Sequence, residues 1–165
     1  MNNKLIPSVP VLLILALFLF LGCTSGTSTN LNTGQQTKNV GLSFDETYLS
    51  VNDTKLNTNE VTLGDIVKLN FIGLTGFNEV DGKIYPGMSM DVTDSNGGSI
   101  LSLPNMTSDY SLNGTNPNTI FEKISLSLTT GLPMEVGQTY QVKIAMWDTK
   151  AASSYLESTV NITMK

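Results

Sequence analysis

The sequence predicts an all-β protein: a single antiparallel β-sandwich of about seven to nine short strands, after a signal segment and a polar linker. Three observations predict it. Apolar residues recur with period two in run after run. Clusters of Asn, Asp, Gly and Pro punctuate those runs. No window carries the 3.6-residue spacing of an amphipathic helix, and the abundant Thr suits strands better than helices.

The chain has 165 residues. Lys4 precedes an apolar run from Val9 to Leu21, broken only by Pro10. At about 13 residues the run falls short of the roughly 20 that span a bilayer and has the length of a signal core. It ends in Phe20-Leu21-Gly22-Cys23-Thr24-Ser25. This resembles the lipobox of prokaryotic lipoproteins, with Gly22 as the small residue before the cysteine and Phe20 where leucine is usual. The resemblance implies a signal peptide over 1–22, cleavage before Cys23, and a lipid anchor with palmitate-type chains on the Cys23 thiol. It places the protein in the cell envelope, membrane-anchored on the extracytoplasmic side. The alternatives are an ordinary thiol after a plain signal, and an uncleaved N-terminal anchor.

Residues 24–39 hold one apolar residue, Leu31. Too little surface is available there to offset the entropy of ordering, so the stretch from Cys23 to Asn39 reads as a lipidated cysteine with a flexible tether. Residues 40–165 then form one domain, with no internal repeat.

Within it, Val40, Leu42 and Phe44 alternate with Gly41 and Ser43, and predict a first strand. Tyr48–Val51 and Val61–Leu63 are weaker candidates. Val67, Leu69 and Phe71 form the next clear strand. Met88, Met90 and Val92 pair with Ile100–Leu103 through the turn Asp94-Ser95-Asn96-Gly97-Gly98. Ile124, Leu126 and Leu128 alternate with Ser125, Ser127 and Thr129. The clearest run is Tyr140–Trp147, where Tyr140, Val142, Ile144 and Met146 share one face. Val160, Ile162 and Met164 close the chain in the same way.

Gly137-Gln138-Thr139-Tyr140-Gln141-Val142-Lys143-Ile144 resembles the entry to the sixth strand of immunoglobulin-like domains, and Val61-Thr62-Leu63-Gly64-Asp65-Ile66-Val67-Lys68-Leu69 the opening of their second. The resemblance implies an immunoglobulin-like sandwich with Tyr140 as its corner tyrosine, Asp148-Thr149-Lys150 at the turn between the last two strands, and Glu157–Met164 as the last strand. Val142 stands where antibody domains carry a cysteine. The antibody disulfide is absent, and Trp147 is not at that family's third-strand tryptophan position.

Composition excludes several functions. Histidine is absent and all nine basic residues are lysine. No Ser-His-Asp or Cys-His unit can be assembled, and no histidine-based zinc site. One cysteine makes an intrachain disulfide impossible. A net charge of −5 argues against a nucleic-acid partner.

Candidate sites are few. Asp91, Asp94 and Asn96 flank one turn, and Asp148 lies at another, so each could lend oxygens to calcium. The 94–99 segment lacks the EF-hand ligand spacing, and turn-forming Asp and Asn is the plainer reading. Met88 and Met90 put two thioethers on one strand face, suited to monovalent copper or to core packing. Tyr110, Trp147 and Tyr155 are candidates for a binding surface. Asn52, Asn105, Asn113 and Asn161 head N-x-S/T triplets. No catalytic residue and no cofactor is expected. The function expected is a non-catalytic binding or adhesion module for a protein or glycan. A structural envelope spacer is the first alternative and a carboxylate-dependent hydrolase the second.

Overall fold

The computed structural model describes residues 25–119 and 122–165. The signal segment and Cys23 lie outside them. The described chain is a two-sheet antiparallel β-sandwich. In order, the strands are β1 (Ser25–Thr29), β2 (Gln36–Val40), β3 (Glu46–Val51), β4 (Thr54–Lys55), β5 (Glu60–Val61), β6 (Ile66–Ile72), β7 (Pro86–Thr93) and β8 (Ser99–Leu103), then β9 (Lys123–Thr129), β10 (Thr139–Asp148) and β11 (Ala151–Met164). One sheet runs β1-β2-β11-β10-β7-β8, with β5 added in parallel to the end of β11; the other runs β4-β3-β6-β9.

The period-two runs become strands because each buries one face. Val67, Leu69 and Phe71 of β6 meet Met90, Val142, Ile144, Met146 and Ile162 of the facing sheet in one continuous core. Each such side chain contributes about 1.5–3 kcal/mol by leaving water. Met88 and Met90 are both buried there, which makes their thioethers packing atoms.

Two expectations are corrected. The segment expected as a tether folds: β1 pairs with β2, and β2 pairs with Tyr155–Thr159 of β11. The sandwich therefore includes this segment from Ser25, the first described residue, onward. Two of the segment's polar side chains enter the interior on a shared hydrogen-bond partner. Gln35 and Thr37 are within 1% of full burial, and both reach the Ser158 hydroxyl, at 3.0 and 2.9 Å. The strand expected over Val40–Phe44 ends at Val40, where the chain crosses to the other sheet with Leu42 fully buried. A six-residue helix, α1 (Ser108–Asn113), was also not foreseen; none of its residues is buried, so it lacks an amphipathic pattern.

The hairpin turn at 94–98 is present, closed by the Asp94 carboxylate accepting the N–H groups of Asn96 and Gly98 at 2.8 Å each. The short β3–β4 connection is Asn52-Asp53, with φ of +50° and +61°, a left-handed pair that Asn and Asp tolerate.

Candidate functional site

The outer face of the larger sheet is open to solvent, and the strand registers set out its side chains in rows. At one end Gly87, Trp147, Tyr155, Val40 and Ser25 stand side by side across β7, β10, β11, β2 and β1. The next row is Ser89, Ala145, Glu157, Lys38 and Thr27, followed by Asp91, Lys143, Thr159, Gln36 and Thr29. Thr93, Gln141 and Asn161 end the face. It grades from aromatic through charged to amide and hydroxyl.

Two local features build the aromatic end. Gly87 has no Cβ, and the Trp147 indole lies directly over it, where any side chain would collide. The unbroken β10–β11 register that starts at Thr139↔Thr163 ends at Trp147↔Tyr155, so the half-exposed Tyr155 stands opposite the tryptophan, and the register shifts only beyond it, to Asp148↔Ala151. In the middle, Lys143 Nζ and Glu157 Oε2 pair at 2.8 Å, both partly exposed. Gln36, Lys38, Gln141, Lys143, Glu157 and Thr159 together line a shallow concavity of about 260 Å³. These surroundings offer hydrogen-bond donors and acceptors in a flat array beside two aromatic rings. They offer no arranged nucleophile.

Of the expected binding residues, the structure brings Trp147 and Tyr155 together. Tyr110 is outside these rows, on α1, which is fixed to the start of β7 at the same end of the sandwich by the Thr107 hydroxyl donating to the Pro86 carbonyl at 2.9 Å. Sequence reasoning missed Gln36, Lys38, Gln141, Lys143 and Thr159. The last three were legible as outward positions of alternating strands; Gln36 and Lys38 were not, because their strand has no apolar alternation.

The calcium candidates do not converge. Asp91 stands on the outer face and accepts the Ser102 hydroxyl at 2.6 Å. Asp94 and Asn96 belong to the 94–98 turn, where one Asp94 oxygen accepts both backbone N–H groups. Asp148 is at the opposite end of the sheet, 1% exposed, and its two oxygens accept the N–H groups of Asn78 and Lys150 at 2.6 and 2.8 Å. It ties the β6–β7 loop to the β10–β11 turn. No group of three or more Cys, Asp or Glu is placed to hold a metal among the described residues.

One concavity has two carboxylates in its lining, Asp94 and Glu135. Asp94 is the turn-capping group just described. Of the N-x-S/T asparagines, Asn161 faces outward as its alternation predicts. Among the described residues no helix is long and apolar enough to cross a membrane. No protein-family model matches the chain, and no curated protein aligns with it.

Proposed function

We propose that this chain is a membrane-anchored envelope lipoprotein whose sandwich is a non-catalytic binding module for a protein or glycan. The observation that carries the reading is the open outer face of the larger sheet, with Trp147 and Tyr155 beside a polar array of Gln36, Lys38, Gln141, Lys143 and Glu157. Aromatic rings supply contact area at little entropic cost, and the amides and ions supply orientation. With no arginine in the chain, tyrosine, tryptophan and lysine are the anchoring residues available. A spacer needs no such face.

The immunoglobulin-like assignment belongs to the same proposal. It is supported by the Tyr140 hydroxyl accepting the Glu135 N–H at 2.9 Å, and by β3-β6-β9 packing against β11-β10-β7-β8. The anchor is supported by the Gly22-Cys23 motif after its apolar run.

The test is retention of envelope polysaccharide and envelope protein fractions on the immobilised full chain, against a Tyr155→Ser/Gln141→Ala variant. Retention of one fraction that the variant loses at least about tenfold supports the reading, since each residue of a contact centre is worth about 1 kcal/mol or more. Equal retention by both proteins rejects this face as the binding site.

A further inference from the structure

We infer that the end of the sandwich carrying Trp147, Tyr155 and α1 lies against the lipid surface; the inference rests on the membrane anchor proposed above. The covalent route decides this. Ser25, the first described residue, is already paired in β1, so only Thr24 stands in sequence between Cys23 and the sandwich. From Cys23 to Ser25 the chain reaches at most about 7 Å, and from Leu21, the end of the apolar run, about 14 Å. A lipid on Cys23 and an uncleaved apolar anchor therefore lead to the same geometry.

Ser25 stands in the row of Val40, Tyr155 and Trp147, and β1 runs away from that row toward the opposite end of the sheet. The anchor thus leaves from the end formed by the β6–β7 loop, the β10–β11 turn and α1. Of the chain's one Trp and five Tyr, this end holds Trp147, Tyr155, Tyr110 and Tyr85. Tryptophan and tyrosine favour the membrane–water boundary, with an apolar body and a polar tip. Met106, Tyr110 and Leu112 add exposed apolar surface there, with Leu112 76% exposed on a helix that buries nothing.

Exposure alone does not choose this end, because Leu31 and Leu132 are 92% and 96% exposed at the other. The position of Ser25 does. Strands of β10's length hold that far end roughly 33 Å from the lipid. The larger sheet's outer face then stands upright on the membrane, with the row of Trp147 and Tyr155 at the lipid boundary and the polar rows from Lys38 and Glu157 onward open to a partner.

Fluorescence quenching tests the orientation in the full chain, reconstituted in phosphatidylcholine vesicles containing dibrominated phosphatidylcholine. Trp147 is the only tryptophan. Two variants move it: Trp147→Phe with Leu112→Trp, and Trp147→Phe with Leu132→Trp. Both receiving positions are exposed, so neither disturbs the core. Flotation with the vesicles reads the anchor separately. The expected result is flotation of both, with bromine quenching severalfold stronger and emission bluer for Leu112→Trp. Flotation with equal or reversed quenching overturns the docking surface and leaves the anchor standing. Failure to float overturns both.

Discussion

The hydroxyl of Tyr140 accepts the backbone N–H of Glu135 at 2.9 Å, so the loop entering β10 is fastened to the strand it feeds. The ring is buried, with 4% exposure, and the bond is its one polar tie to that loop. Tyr140→Phe keeps the packing and leaves the Glu135 N–H without this acceptor. The expected loss is about 1–2 kcal/mol, read as a lower urea midpoint with an unchanged slope.

Asp148 makes a second fastening, between two loops at the opposite end. Asp148→Ala leaves the N–H groups of Asn78 and Lys150 without their carboxylate. The expected cost is about 2–4 kcal/mol by denaturant unfolding. Because the oxygens already have partners, millimolar calcium should leave the thermal midpoint of the native protein where it is. A calcium-dependent rise would reinstate a metal site.

Gly87 is the seat of the Trp147 indole, so Gly87→Ala should push the ring off the sheet. With a single tryptophan in the chain, the displacement is visible directly: emission moves to longer wavelength as the ring meets water. The accompanying overpacking cost is about 1–3 kcal/mol. Unchanged emission would mean that the ring does not rest on Gly87.

The hairpin that replaces the tether depends on Ser158. Ser158→Ala removes the partner of the Gln35 amide and the Thr37 hydroxyl in a buried site. The expected loss is about 1–3 kcal/mol, with faster hydrogen exchange confined to Gln36–Val40 and its neighbours in β11.

On the outer face of the smaller sheet, Lys68 donates to the Asp53 carboxylate at 2.7 Å. That hydrogen bond, then the charges of Lys68 and Lys123, hold the Asp53 pKa below its ordinary 3.8. A pKa lowered by folding adds stability that is fully present above the unfolded value. It is lost as pH falls through 3.8 and on through the folded value. The native protein should therefore exceed Lys68→Gln in stability at neutral pH. The gap should narrow only in acid, and salt should shrink it because the pair is exposed.

The alternating runs from Val67 to Met164 determined their own strands, most of the core and the all-β class by themselves. Alternation is written into the order of residues, and only one face of a pleated strand can enter a core. Tyr140 and the 94–98 turn were legible for the same reason, each resting on neighbours within a few positions. Other features depended on partners far along the chain. Gln35 and Thr37 look like linker residues until Ser158, more than 120 positions away, accepts them into the interior. Asp148 looks like a surface ligand until the Asn78 loop folds over it. Trp147 and Tyr155 meet only through the pairing register of β10 with β11. Apolar burial is announced by composition and spacing, whereas burial of a polar group is decided by whichever distant donor or acceptor the tertiary structure brings to it.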